Sequence, residues 1–115
     1  MKFIKKQPPR KFSVGIEKSI TLKDCGKMFL NNDEQITFIR KDGKEHDFTA
    51  KSWGFYATPS VNGRLKSFNL KTALIKNSFK KYFIVIVDPK EMNDFENYLN
   101  SEKLILVEWL DERDE

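Results

Sequence analysis

An α+β fold, mostly antiparallel β-sheet or a partly open barrel with one C-terminal strand-helix-strand unit, follows from three features of the chain. Apolar and polar residues alternate with period two through much of residues 12–71, the spacing of half-buried strands. Two glycine turns, Asp42-Gly43 and Asn62-Gly63, punctuate that alternation. A capping signal at Asp88 opens a stretch of helical spacing, after which a strand pattern returns.

Residues 1–11 carry Lys2, Lys5, Lys6, Arg10 and Lys11 around the pair Pro8-Pro9, which cannot propagate helix or a central strand, so a flexible basic arm is expected. Phe12, Val14 and Ile16, then Ile20 and Leu22, alternate with polar residues as strands. Asp24-Cys25-Gly26 reads as a bend before Met28-Phe29-Leu30, and Asn31-Asn32-Asp33 as a turn. Gln35 to Ala50 reads as a hairpin. A two-residue Asp42-Gly43 loop would set Phe38 opposite Asp47. A three-residue loop ending in a left-handed Gly43 instead sets Phe38 opposite His46 and Ile36 opposite Phe48, gathering the apolar residues on one face. The second register is preferred, although it places Arg40 against Lys44.

A second hairpin is expected about Asn62-Gly63, with Trp53, Phe55, Ala57 and Val61 on the core face beside Phe68 and Leu70. Tyr56, Thr58, Ser60, Asn69 and Lys71 then line the other face, and Pro59 marks an edge or a bulge. After the short strand Ala73-Leu74-Ile75, the run Tyr82 to Val87 has the composition of a fully buried central strand. Asp88, Pro89 and Glu91 form a capping-box pattern for a helix carrying Met92, Phe95 and Leu99 on one face, and Leu104 to Leu110 returns to strand. A chain of 115 residues is expected to form a single domain, residues 1–115, ending in an acidic tail over 111–115.

Charge is unevenly distributed. Residues 1–27 hold eight Lys/Arg against two Asp/Glu, whereas residues 88–115 hold three against ten, so a basic body ends in an acidic segment. Such asymmetry suits an anionic ligand, with nucleic acid the broadest candidate, or a protein partner. The longest apolar run, Tyr82 to Val87, falls far short of the roughly 20 residues that span a bilayer, and Met1 to Lys6 carries no export signal, so no membrane partner and a cytoplasmic setting are expected. Cys25 is the only cysteine, which excludes an intrachain disulfide, and with His46 the only histidine no metal site is expected. Gly43, Gly54 and Gly63 lie in separate turns and form no phosphate loop, so no nucleotide cofactor is expected.

The candidate ligand residues are Tyr56, Asn62, Arg64 and Lys71: a ring able to stack on a base or sugar, an amide, and two cations for phosphate. Three functions fit them. The first is a non-catalytic binding or accessory module whose basic face holds an anionic ligand. The second is a small enzyme or enzyme-accessory protein acting on a phosphorylated or nucleotide-linked sugar, for which Asp47 or His46 would have to serve as acid or base. The third is a protein-interaction module using an exposed strand edge. No residue is assigned a catalytic role. His46 lies between Glu45 and Asp47, whose side chains alternate to the opposite face of a strand, so it is read as structural. Cys25 is read as buried or inert rather than nucleophilic.

Overall fold

The computed structural model describes residues 1–113. Asp114 and Glu115, half of the carboxylates expected in the acidic tail, lie outside the described residues. The elements are strands β1 (Lys2–Val14), β2 (Ile20–Phe29), β3 (Gln35–Ile39), β4 (Glu45–Lys51) and β5 (Gly54–Thr58), a short helix α1 (Arg64–Ser67), strands β6 (Lys71–Lys76) and β7 (Tyr82–Val87), helix α2 (Met92–Ser101) and strand β8 (Ile105–Trp109). They form three sheets, ordered β1-β2, β3-β4-β5 and β7-β6-β8, none closed into a barrel. The chain divides into two compact units, Met1–Ile36 with Phe48–Tyr56 and Thr37–Asp47 with Ala57–Glu115.

In the first unit the expected arm is instead the strand β1, paired antiparallel with β2. The prolines are accommodated because the register shifts between Lys5 and Arg10, so Pro8 and Pro9 fall in the irregular stretch and owe no ladder hydrogen bond. Asp24-Cys25-Gly26, expected as a bend, is part of β2. Gly26 has φ +147°, and a Cβ there would collide with the carbonyl oxygen of Ile4, so glycine is required where the two backbones approach. Cys25, expected to be buried or inert, is exposed, which removes the first of those alternatives. Farther along, Asp33 N donates to Ala50 O at 2.7 Å and Ala50 N to Glu34 O at 3.0 Å.

The β3–β4 turn has the preferred register: Arg40 N donates to Lys44 O at 3.1 Å around a Lys41-Asp42-Gly43 loop, with Gly43 at φ +85°. The gathered face is not deeply covered, since Phe38 and Phe48 stay exposed. The next hairpin is misplaced in the sequence reading. The chain turns at Ser52-Trp53, where Gly54 takes φ +144° and begins β5. Trp53 and Phe55, expected in the core, are 69% and 70% exposed. Pro59 follows β5, an edge strand of its sheet, and Asn62-Gly63 leads into α1 rather than a second strand. The physical cause is local. Leu65 N donates to Ser60 O and Arg64 N to Ser60 Oγ, winding a helical turn that buries Leu65 completely.

In the second unit the centre of the sheet is β6, not β7: Thr72, Ala73 and Ile75 are buried, while β7 lies at an edge. The strands β7 and β8 flank β6 and both run antiparallel to it, so β7-α2-β8 is a split unit whose parallel strands are not neighbours. Asp88 caps as expected, its Oδ1 accepting from Lys90 N at 3.0 Å, but the turn it caps is a 3-10 turn, Pro89–Glu91, that runs into α2. Phe95 of α2 packs on Trp109 of β8 with ring centroids 5.8 Å apart. Leu65, Leu70, Ala73, Ile75 and Val87 make the core of this unit.

Candidate functional site

The four residues expected at a ligand site fall in different units. Tyr56 is exposed on β5 in the first unit, while Asn62, Arg64 and Lys71 belong to the second. Asn62 is exposed in the turn before α1. Arg64 Nη2 lies 3.2 Å from the carboxylate of buried Asp47. Lys71 Nζ lies 3.0 Å from Asp111 and 3.5 Å from Glu112, and 4.8 Å from the centre of the Trp109 ring. Arg64 and Lys71 therefore direct their charge at different carboxylates.

Asp111, expected in a solvated tail, is buried because a 3-10 turn at Leu110–Glu112 folds it against the start of β6. Its Oδ1 accepts from Thr72 N at 2.9 Å and its Oδ2 from Lys71 Nζ. Burial alone would raise its pKa, but the Thr72 amide and the Lys71 ammonium hold the carboxyl below its ordinary range. For Lys71, burial works downward and the hydrogen bond and charge of Asp111 outweigh it, so the ammonium is held above its ordinary value. This is an internally neutralised pair.

Clefts among the described residues of the second unit include the following two. One, of about 310 Å³, lies between α2 and its sheet and is lined by Met92, Phe95, Leu99, Leu106, Trp109 and Lys71, with Glu96 and Glu112 among its polar groups. The other, of about 220 Å³, lies among Phe38, Ile39, His46, Leu70 and Ile86, with Arg40 and Lys44 at its side. Those cations are also engaged. Lys44 Nζ lies 2.9 Å from Asp88 and donates to Asn69 O at 3.3 Å, and Arg40 lies 3.8 Å from Asp88. Hydrogen bonding from Lys44 and from the Lys90 amide keeps the Asp88 carboxyl below its ordinary pKa. Among the described residues no group of three His, Cys, Asp or Glu side chains is placed to hold a metal.

Several cations of the β1–β2 ribbon have no carboxylate partner among the described residues, although others of the same ribbon do. Lys6 and Arg10 pair with Asp24 at 3.2 and 3.8 Å, and Arg10 also covers the Phe12 ring at 4.6 Å. Lys11 stands directly opposite Lys23, flanked along the ladder by Ser13 opposite Thr21. Opposed residues in an antiparallel pair share a face, so Lys11, Ser13, Thr21 and Lys23 form one polar surface, all of it exposed. On the other face Phe12, Val14 and Ile20 are half-buried and Leu22, opposite Phe12, is exposed. Lys2, Lys5 and Lys27 add exposed charge farther along the same ribbon.

The signal for this site was present in the sequence. The segments Lys11-Phe12-Ser13-Val14 and Ile20-Thr21-Leu22-Lys23 have mirrored polar-apolar order, and folding them about the intervening loop brings the lysines together. Compared with family models, with curated proteins and with solved structures, the chain matches none.

Proposed function

We propose that this protein is a non-catalytic polyanion-binding module whose ligand is nucleic acid, held by its phosphates on the exposed face of the β1–β2 ribbon. The observation that carries the reading is Lys11 opposite Lys23, with neither engaged by a carboxylate among the described residues. Like charges directly opposite on a ladder oppose folding, and an anion between them reverses that cost. Two-stranded ribbons are also a shape that nucleic-acid grooves admit. The phosphosugar-enzyme reading is weaker, because the cations it needs, Arg64 and Lys71, are neutralised by Asp47 and Asp111. No helix among the described residues is long and apolar enough to cross a membrane, and the exposed free thiol of Cys25 accords with a reducing, cytoplasmic setting.

The test is a titration of short DNA and RNA at several salt concentrations. Affinity should fall steeply with salt, and the double variant Lys11→Gln/Lys23→Gln should flatten the log-log slope by roughly 0.7–0.9 per lost contact. Lys66→Gln, an exposed lysine on α1, should leave the slope unchanged. Absence of binding at low salt, or equal loss with Lys66→Gln, would reject the ribbon as the site.

A further inference from the structure

At the end of the ribbon far from the β1–β2 loop, two opposed pairs share one face: Lys2 opposite Phe29 and Ile4 opposite Lys27. Each pair sets a cation against an apolar side chain, and the order reverses from one pair to the next. Phe29 and Ile4 therefore lie on one diagonal of this face and Lys2 and Lys27 on the other, with diagonal neighbours roughly 7 Å apart. All four are exposed, Phe29 by 51% and Ile4 by 45%. Neither lysine has a carboxylate partner among the described residues. The opposite face of the same end carries Phe3 across from Met28, but the Phe3 ring lies over Gly26, where an added Cβ would meet its Cε1 at 3.0 Å. Phe29 is thus the ring of this end that is set between two available cations.

The lysines and the shape of the ribbon suit a duplex groove as well as a single strand, because phosphates are common to both. An exposed ring separates the two. In a duplex each base is stacked on its neighbours, whereas in a single strand a base can turn out and stack on an aromatic side chain while adjacent phosphates meet cations. The crossed cations and apolar groups match that alternation of phosphate and base. We infer that the ribbon takes single-stranded nucleic acid, with one base stacked on Phe29 beside Ile4 and the flanking phosphates on Lys2 and Lys27. The inference rests on the ribbon as the nucleic-acid site and names the form of the ligand. Lys11 and Lys23 supply charge that either form can use; Phe29 supplies the preference.

The whole chain is titrated with oligothymidine and oligouridine of roughly 12 nucleotides, within the span of known single-strand sites, and with a DNA duplex of the same length. Either single strand should bind more tightly than the duplex at equal salt, and the tighter of the two identifies the sugar. Phe29→Leu should weaken single-strand binding by roughly 5- to 150-fold, the worth of one stacked base, with the salt slope and duplex binding unchanged. Phe29→Trp should retain the affinity, and Phe3→Leu should leave the single-strand preference in place. An abasic strand, which keeps the phosphates and lacks the bases, should lose the same factor against the unaltered chain. A duplex bound as tightly as the single strands, an abasic strand bound as well as oligothymidine, or equal losses with Phe3→Leu and Phe29→Leu would overturn the single-strand assignment, while a salt slope that still depends on Lys11 and Lys23 keeps the ribbon as the site. Absence of binding to all of these probes at low salt would overturn both.

Discussion

Lys71 and Asp111, 40 residues apart in sequence, meet at 3.0 Å at the start of the central strand β6. The same carboxylate accepts the Thr72 amide, so one buried group closes both a side-chain and a backbone requirement. Asp111→Asn should lower stability by roughly 1.5–3 kcal/mol, the usual worth of hydrogen bonds to a charged group. Because Asp111 is held below its ordinary pKa in the folded chain, its contribution is present above the unfolded value of 3.8 and is lost as pH falls through the folded value. Lys71, held above 10.5, contributes fully below that value and loses its contribution as pH rises through the folded value. Denaturation followed between neutral and acid pH should therefore show a loss at the acid end that Asp111→Asn reduces, the remainder coming from Asp88 and the other carboxylates held low.

Asp88 has two duties, capping the turn before α2 and receiving Lys44. Asp88→Ala should lower the melting temperature by more than Asp88→Asn, which keeps an acceptor for the Lys90 amide while losing the charge. Equal melting temperatures for the two variants would remove the cap from this account.

Gly26 is required where β2 passes Ile4. Gly26→Ala should destabilise the ribbon by more than about 1 kcal/mol, since both the positive φ and the close carbonyl oppose a side chain. Nucleic-acid affinity should fall with it, although no charge has been removed. Retained affinity in a folded Gly26→Ala chain would mean that the lysines do not need the paired geometry.

Arg64→Ala distinguishes the ribbon from the site first expected. It removes a cation from buried Asp47 and should lower thermal stability, while the salt slope of nucleic-acid binding stays unchanged. A slope flattened by about one contact would restore Arg64 as a ligand residue.

Local chemistry was legible wherever neighbours in sequence decide the outcome. Gly43 at left-handed φ and the Arg40–Lys44 closure follow from the three-residue loop, and Asp88 caps its turn because the amide it serves is two residues away. The failures have longer range. The pair Pro8-Pro9 argued against a strand, but the matching shift against β2 removes the conflict, and only the partner's register shows it. Asn62-Gly63 has hairpin chemistry, yet burial of Leu65 and the Ser60 contacts wind the next residues into helix.

The sequence by itself determined the class of fold, the alternating strands, the capped turn before α2 and the excess of positive charge near the start of the chain. The tertiary structure decided which strand is central and which cations remain available. The run Tyr82 to Val87 is more apolar than Lys71 to Lys76, but centrality depends on having two partners, and β6 has both β7 and β8. Likewise every Lys and Arg contributes equally to net charge, whereas only folding brings Asp111 to Lys71 and Asp47 to Arg64 and leaves Lys11 facing Lys23. Coulomb energy depends on separation in space, and composition carries no distances.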